Sequence, residues 1–445
     1  MKEKIVFPAR QLDVTVAAEV VVVGGGSAGI AAAVAAARNG ARTLLLEQSG
    51  CCGGMASRGL LTSIICMGDG KSILANGICR EFVERIVQDM KLTETNYQWQ
   101  NIHPESVKKI ADRMLEEAGV EVLFETVVVD CIAESGKLKA LKCFSPCGSF
   151  AVTGRIFIDC TGDANLAALA GASFEYGDSA GKVMAPTLCV MYDNIRYQDD
   201  SRRNGLGSKE WKEAAKQNQL PVNEHHFVGF YRNGAGSGSG NLGHIYDTDV
   251  LDIFSRSRAW IEGRKLALQY HQFYRDRVKG FEESALTCSA DMLGVRESRR
   301  IVGEYRMTSE DYFSRRHFED DIGSFAYPID IHSGENDAVK QEEVEKNIVR
   351  TAYAPGENYG IPYRALLPKN TVNLLVAGRC ISTDRAMQAS VRVVPGCMIT
   401  GEGAGTAAAL CISSNCMPRE VDVRKLQNAL SVLKYREEAQ GTENT

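Results

Sequence analysis

The stretch Val20-Val21-Val22-Val23-Gly24-Gly25-Gly26-Ser27-Ala28-Gly29 decides the fold. A run of valines is typical of a strand that is buried on both faces of a parallel sheet. Gly24, Gly26 and Gly29 follow at G-x-G-x-x-G spacing, and an alanine-rich helix is predicted over Ile30 to Arg38. The pattern predicts a strand-to-helix turn where backbone N–H groups and the helix dipole face a pyrophosphate.

A glycine triplet alone is also compatible with an ordinary tight turn, so the residues after the helix matter. Gly40 follows the helix, and a second apolar strand ends at Glu47. An acidic residue about 20 positions after the first glycine accepts hydrogen bonds from ribose hydroxyls and repels a 2′-phosphate. Residues 18 to 47 therefore predict a dinucleotide-binding βαβ unit, which leaves FAD and NAD both open.

A second glycine-rich segment follows, Glu47-Gln48-Ser49-Gly50-Cys51-Cys52-Gly53-Gly54-Met55-Ala56-Ser57. Here the chain resembles the FAD-dependent oxidoreductases related to glutathione reductase, and more narrowly a bacterial family of FAD-dependent oxidoreductases. In such proteins a Gly-Gly pair shortly after the acidic residue passes the pyrophosphate and leads toward the flavin. Gly53 and Gly54 match that pair, so the resemblance implies FAD.

The resemblance continues in three later blocks, at Asp159 to Ala164, at Leu293 to Ile301 and from Tyr359 to Leu410. Asn373 to Arg379 looks like the late strand and glycine turn that close over FAD. Ser390 to Met398 leads into a helix that, by resemblance, directs its N-terminus at the flavin pyrimidine. A helix N-terminus supplies N–H donors and partial positive charge, which suit the negative charge of reduced flavin.

These blocks imply an α/β fold: a Rossmann-like FAD-binding domain of the glutathione reductase type with an inserted α+β substrate domain. Residues 1–172 and 355–445 are expected to form the FAD-binding domain. Residues 173–354, which are richer in aromatic, charged and glycine residues, are expected to form the insertion.

Local patterns add several expected elements. A helix is predicted over Glu105 to Ala118, and strands over Val120 to Ala133 and Lys137 to Phe144, with a hairpin turn at Ser135-Gly136. The glycine-rich stretch Gly234 to Gly243 is predicted to be a flexible loop or lid on the substrate side.

The expected FAD-binding residues combine the glycine loop, the acidic residue with the glycine pair, and the later family-like blocks. They are Gly24, Gly26, Ser27, Ala28, Gly29, Glu47, Gln48, Gly53, Gly54, Met55, Arg58, Val128, Thr161, Gly162, Asp163, Gly378, Arg379, Pro395, Gly396, Cys397 and Met398. The stretch Gln48 to Cys52 contains no histidine of the kind that attaches FAD covalently in the succinate dehydrogenase group, so non-covalent FAD is expected.

The candidate catalytic residues follow from what a flavin reaction needs, namely proton transfer and stabilisation of negative charge. Arg296 and Arg379 lie in family-like blocks and are candidates for binding a substrate carboxylate or carbonyl, although arginines on loops are more often solvated or paired. Tyr305 and His244 are candidates for proton transfer, and a structural role is the alternative for each.

Composition limits the other classes. The formal net charge of −5 gives no reason to expect nucleic acid as a partner, and no apolar run approaches the ~20 residues that span a bilayer. The N-terminus lacks the apolar stretch of a signal peptide, so a cytoplasmic location is expected. The cysteines have no C-x-x-C spacing, and no metal is expected.

No second glycine fingerprint for NAD(P)H follows, so a separate electron donor or acceptor is expected, and a homo-oligomer stays open. The sequence favours an FAD oxidoreductase that exchanges a hydride with a small organic metabolite, one that bears a carboxylate or carbonyl. The alternative is a flavoprotein whose cofactor has a non-redox or partner-binding role.

Overall fold

The computed structural model describes residue 5 and residues 10–198, 205–222, 224, 227 and 229–431. Within these residues the strands are, in chain order, β1 Val14–Ala17, β2 Val20–Val23, β3 Thr43–Leu46, β4 Ser63–Ile65, β5 Trp99–Asn101, β6 Glu121–Leu123, β7 Val127–Glu134, β8 Lys137–Ser145, β9 Gly148–Thr153, β10 Ile156–Asp159, β11 Phe174–Tyr176, β12 Val190–Asp193, β13 Gly229–Arg232, β14 Gly238–Asn241, β15 Ala285–Ser289, β16 Arg299–Ile301, β17 Asp321–Phe325, β18 Tyr359–Pro362 and β19 Leu374–Val376. The helices are α1 Ser27–Arg38, α2 Ile78–Asp89, α3 Pro104–Glu117, α4 Asn165–Leu169, α5 Ser208–Lys216, α6 Ile253–Arg277, α7 Ser309–Phe313, α8 Ala338–Thr351, α9 Arg385–Val391 and α10 Val394–Ser414.

A parallel sheet with the strand order β19-β10-β2-β3-β6 forms the centre of the first region. All residues of β2, β3, β10 and β19 are buried, as strands covered on both faces must be. The last strand to be added, β19, comes from the C-terminal part of the chain and pairs with β10. The fold is therefore α/β and Rossmann-like, with its sheet assembled from distant parts of the chain.

The two faces of this sheet are covered differently. Val20 and Val22 of β2 pack in a cluster with helices α1, α2, α3 and α10. Val21 and Val23, which point the other way, pack with residues of β8 and β9. Those strands belong to a second sheet of order β1-β9-β8-β7.

Helix α10 crosses helix α1 at very short range because of two glycines. A Cβ atom at Gly401 would lie 2.1 Å from the carbonyl oxygen of Ala28, and one at Gly405 would lie 2.1 Å from that of Ala32. Only glycine fits at such a distance from a backbone atom. This contact holds the C-terminal helix against the glycine-loop helix.

A four-stranded antiparallel sheet of order β13-β14-β12-β15 forms the core of the second region. Trp211 of α5 and Tyr270 of α6 are both buried against it, and their rings stack 4.7 Å apart. The prediction of a flexible loop at Gly234 to Gly243 was wrong for its second half. Gly238–Asn241 forms β14, which is hydrogen-bonded on both sides, and Ser239 is fully buried.

The other element predictions hold in type, with one exception. The predicted helix at Glu105 is α3, and the turn at Ser135-Gly136 is confirmed, with φ of 50° and 76°. The single strand expected over Val120 to Ala133 is instead two strands, β6 and β7. They are separated at Glu125, which has a left-handed φ of 50°, so that β6 joins the parallel sheet and β7 joins the second one.

Candidate functional site

One cleft, with a volume of about 640 Å³, runs along the carboxyl ends of β2, β3, β10 and β19. Its size lies within the range of about 300 to 1,000 Å³ that is usual for small-molecule sites. Its far wall comes from the second region, from residues around Val250–Ile253 and Met292–Val295. The carboxyl edge of an open α/β sheet is where such folds bind their ligands.

The glycine loop between β2 and α1 forms the floor of the cleft. Gly24 has a left-handed φ of 99°, and a Cβ at Gly29 would lie 1.8 Å from the carbonyl oxygen of Gly24. A Cβ at Gly26 would meet no protein atom within 4 Å. Gly26 also caps α1 without a side-chain hydrogen bond, so the first N–H groups of the helix face open space that suits a pyrophosphate.

Glu47 lies directly beside this loop at the end of β3 and is only 7% exposed. Its Oε2 accepts from Gly25 N at 2.6 Å, and its Oε1 accepts from Ser49 N at 2.9 Å and from Ser49 Oγ at 2.7 Å. The carboxylate is therefore held in place at the lip of the cleft by backbone donors. It keeps acceptor capacity for a ribose hydroxyl, because each carboxylate oxygen accepts more than one hydrogen bond.

The Gly53-Gly54 pair packs onto the glycine loop. Gly53 has a φ of 111° and donates its N–H to the carbonyl oxygen of Gly25 at 2.9 Å. A Cβ at Gly54 would lie 3.1 Å from the Cα of Gly26. Two bare backbone segments thus form one continuous surface, which is the feature that a closely approaching pyrophosphate needs.

The turn after β10 brings the two ends of the chain together. Arg379 donates from Nε to the carbonyl oxygen of Gly162 at 2.8 Å and pairs with the carboxylate of Asp163. Ser298 Oγ also donates to Asp163, at 2.7 Å, and Arg256 lies 3.5 Å away. Burial pushes the pKa of Asp163 upward, but Arg379, Ser298 and Arg256 together hold it below its usual range.

Helix α10 starts at the opposite end of the cleft. Its N-cap, Val393, makes no side-chain cap, and Val394, Cys397 and the preceding Arg392 line the cleft. A Cβ at Gly396 would lie 2.3 Å from the carbonyl oxygen of Val391, so this glycine serves the sharp entry into the helix. The helix N-terminus therefore offers partial positive charge at this end.

Most of the expected FAD-binding residues line this one cleft. These are Gly24, Gly26, Ser27, Ala28, Glu47, Gln48, Gly54, Met55, Val128, Thr161, Gly162, Asp163, Gly378, Arg379 and Cys397. The structure does not place six others on its surface, namely Gly29, Gly53, Arg58, Pro395, Gly396 and Met398. Arg58 faces a neighbouring pocket, where it pairs with Asp291 at 3.1 Å.

The four expected catalytic residues are not brought together at one point. Arg379 lines the cleft, whereas Tyr305 lies elsewhere and donates to both carboxylate oxygens of Asp311, at 2.9 and 3.0 Å. Arg296 is 7% exposed and donates from Nη1 to Ala185 O and Thr187 Oγ1, both at 2.7 Å. Burial, and then the like charge of Arg392, lower the pKa of Arg296.

His244 belongs to a buried polar group that sequence reasoning missed. It contacts Glu224 and His332, and His332 in turn contacts Asp330, which pairs with Arg392 at the cleft. The two histidines are 88 positions apart, so no local spacing could have joined them. The only sequence signal is Asp330-Ile331-His332, whose first and third side chains share a face in an extended segment.

The fold and the cleft define an FAD-binding enzyme, with a dinucleotide loop at one end and a helix N-terminus at the other. The sequence profile of the family described as "FAD dependent oxidoreductase" matches residues 19–430, and the chain belongs to this family. Its cofactor is FAD, and its class is that of FAD-dependent oxidoreductases. The curated proteins compared with the chain include no match.

Solved structures share the architecture at low identity. The p-nitrophenol 4-monooxygenase of Pseudomonas putida is 11% identical, with 94% of this chain and 84% of that chain covered and a TM-score of 0.50. A geranylgeranyl bacteriochlorophyll reductase-like protein of Thermoplasma acidophilum is 15% identical, with 95% and 84% covered and a TM-score of 0.48. At 11% identity the likeness to the monooxygenase concerns the fold alone.

The described residues contain neither a membrane-spanning helix nor a metal-binding cluster. None of the helices in that part of the chain combines the length and apolarity that a bilayer span requires. Nor do those residues include a group of three or more histidine, cysteine or acidic side chains that could hold a metal ion.

Proposed function

We propose that this FAD-dependent oxidoreductase exchanges a hydride with a small organic metabolite that bears a carboxylate or carbonyl group. The observation that carries the proposal is the pair of cations at the α10 end of the cleft. Arg392 lines the cleft, and Arg296 is buried close enough to it for their like charges to interact. Arg296 is buried, Arg392 is partly exposed, and Asp330 balances one of the two charges, so one positive charge remains that favours a ligand with negative charge.

The proposal gives each part of the cleft a role. The glycine loop, Glu47 and the Gly53-Gly54 segment would hold the dinucleotide part of FAD, and the N-terminus of α10 would face its flavin ring. FAD when bound supplies the hydride acceptor or donor. Arg392 would contact the substrate, and Arg296 behind it would add positive charge that stabilises a negatively charged substrate. A separate electron carrier would return FAD to its starting state.

Three finer points belong to the same proposal. The FAD-binding part is of the glutathione reductase type, the domains divide at 1–172, 173–354 and 355–445, and FAD is bound without a covalent bond. The assembly of one sheet from β10 and β19 supports the division. Acid precipitation tests the last point, because a yellow supernatant shows that FAD has been released from the protein.

The experiment pairs carboxylates with their neutral amides. Under anaerobic conditions the oxidised enzyme is mixed with 2-hydroxy acids, and the photoreduced enzyme is mixed with 2-keto acids. Each acid is compared with its amide, and the absorbance of the flavin band near ~450 nm is recorded. We expect the acids to change the band and the amides to react far more slowly. Arg392→Met should raise KM for the acid by about one to two powers of ten, because Arg392 lines the cleft and a charged hydrogen bond is worth about 1.5 to 3 kcal/mol.

Arg264→Met is the matched control, since Arg264 lies on the exposed face of α6. It should leave KM unchanged. Equal rates for acids and amides would contradict the role of the two arginines. A flavin band that no metabolite changes would contradict hydride exchange itself and favour the non-redox role.

A further inference from the structure

A line of four buried ionisable side chains leads away from the cleft. It consists of Glu224, His244, His332 and Asp330, which are 2%, 5%, 4% and 7% exposed. Glu224 Oε2 lies 2.8 Å from His244 Nδ1, and His244 Nε2 lies 2.7 Å from His332 Nδ1. His332 Nε2 lies 3.0 Å from Asp330 Oδ1. We call these four residues the buried line.

The two ends of the buried line reach different surroundings. At one end the hydroxyl group of Tyr246, a partly exposed residue, donates to Glu224 Oε1 at 2.9 Å. At the other end Arg392, which lines the cleft, lies 3.1 Å from Asp330 Oδ2. Tyr327 also donates to that oxygen, at 3.3 Å. The line therefore connects a residue that touches solvent with one that touches the cofactor cleft.

The contacts fix how many protons the line holds. Both outer ring nitrogens, His244 Nδ1 and His332 Nε2, face carboxylates and so carry hydrogen. The inner nitrogens are 2.7 Å apart, and two lone pairs at that distance would repel, so one proton lies between them. The two rings together hold three protons, one more than two neutral imidazoles.

The extra proton belongs on His244. Burial is the main cause that lowers the pKa of His332 well below its usual value, and Arg296 opposes its charge further, although Asp330 acts the other way. His244 instead has the carboxylate of Glu224 directly at its Nδ1. A charged His244 donating to a neutral His332 satisfies both observations.

The pKa of Asp330 is depressed, because His332, Arg392 and Arg296 together outweigh the effect of burial. Asp330 therefore remains a carboxylate, with its Oδ1 facing His332 Nε2. Other described ionisable groups also face the line. They are Tyr231 of β13, Tyr246, Tyr270 of α6, Arg296, Tyr327 and Arg392.

We infer that the buried line takes up one proton from solvent when FAD bound in the cleft is reduced and releases it when FAD is oxidised again. The inference rests on the proposed function. The proton would enter through Tyr246 and Glu224 and would be held by the ring pair of His244 and His332. Asp330 stays ionised and links this ring pair to Arg392, the residue that lines the cleft.

The test uses the FAD-loaded enzyme without any substrate. Reduction adds negative charge beside Arg392 and Asp330, so the line should bind its extra proton more tightly when FAD is reduced. The midpoint potential of FAD is measured from pH 5 to pH 9. Within part of this range, reduction by two electrons should be coupled to the uptake of one additional proton. That corresponds to a slope steeper by about 30 mV per pH unit.

His332→Gln and His244→Gln should each abolish this steeper interval. His317→Gln is the matched control, because His317 also pairs with a carboxylate, Asp321 at 2.9 Å, but lies exposed on the surface. Its curve should coincide with that of the wild type. Identical curves for the wild type and both variants of the line would overturn the inference.

A measurement on the wild type covers the case in which the variants lose FAD. A hydrogen shared between two imidazoles gives a proton NMR signal far downfield, and we expect one that shifts when FAD is reduced. Absence of this signal in both redox states overturns the inference. Neither measurement uses a substrate, so the inference and the proposed function can fail separately. An enzyme that reacts with no metabolite can still show the steeper slope, and an active enzyme can lack it.

Discussion

Gly26 and Gly29 belong to one motif but serve different partners. A Cβ at Gly29 would strike the carbonyl oxygen of Gly24 at 1.8 Å, whereas a Cβ at Gly26 would meet nothing of the protein. Gly29 is thus required by the fold itself. Gly26, with an ordinary φ of −72°, is required only if a ligand occupies the space in front of it.

We expect Gly26→Ala to fold normally and to bind FAD at least about tenfold more weakly, a change of about 1.4 kcal/mol. Gly29→Ala should instead lower the stability of the FAD-free protein by about 1 to 3 kcal/mol, as overpacking does. Thermal unfolding of the FAD-free proteins and titration with FAD separate the two effects. Unaltered FAD binding by Gly26→Ala would show that the pyrophosphate lies elsewhere.

At the scale of elements, the contact between α1 and α10 determines whether the N-terminus of α10 lies at the cleft. Gly401 and Gly405 let α10 approach the carbonyl oxygens of Ala28 and Ala32. Because α10 starts at one end of the cleft, the packing of its middle determines where its N-terminus lies. The same helix therefore stabilises the fold through Gly401 and Gly405 and contributes its N-terminus to the cleft.

Gly405→Ala tests this packing with a clear sign. Alanine in the middle of a helix is normally favoured over glycine by about 0.8 to 1 kcal/mol. Here we expect the opposite, a loss of about 1 to 3 kcal/mol in the free energy of unfolding measured with urea, because the new methyl group meets a backbone oxygen. Ser413→Ala, on an exposed turn of the same helix, should change stability by less than about 0.5 kcal/mol. Stabilisation by Gly405→Ala would contradict the close approach.

At the scale of the whole molecule, Asp163 joins three distant parts of the chain. It follows β10 and contacts Ser298 before β16, Arg256 of α6 and Arg379 after β19. Its pKa is held below the usual range, so its contribution to stability is complete above about pH 4 and is lost as the pH falls through the folded-state pKa.

Asp163→Asn should accordingly destabilise the protein at pH 7 by about 1.5 to 3 kcal/mol, since a buried carboxylate loses its charged hydrogen bond with the partly exposed Arg379. The difference from the wild type should shrink as the pH falls from 4 toward 2, where the wild-type carboxylate also becomes neutral. Urea unfolding at several pH values measures this difference. Asp276→Asn, on the exposed side of α6, is the control, and a difference that stays constant with pH would rule out the charge as its cause.

The sequence patterns predicted those parts of the fold that neighbouring residues define. The valine strand, the glycine loop and Glu47 could be predicted because each is defined by neighbouring residues, and the C-terminal elements because they match a family. The split of β6 from β7 depends on one left-handed residue, Glu125, which carries no glycine to mark it. The pairing of β14 depends on strands that are distant in the chain.

The candidate site shows the same division. The cleft at the carboxyl edge of the parallel sheet follows from motifs, since its donors are backbone groups at predicted turns. The contact between His244 and His332 could not be predicted, because it exists only after the segment that follows β14 has packed against the distant segment around His332. Proton-handling groups of this kind are set by tertiary packing, and their sequence spacing carries no signal.

The position of β19 and α10 at the edge of the parallel sheet also has a consequence for biosynthesis. When translation reaches Leu374, β2, β3 and α1 have already been synthesised. The surface of α1 around the carbonyl oxygens of Ala28 and Ala32 is still exposed, because α10, which packs against it, has not yet been made. Domains generally begin folding from the N-terminal side during synthesis. Until α10 has been synthesised, a nascent chain of this protein therefore exposes an apolar helix face, and we expect it to bind FAD only after α10 has arrived.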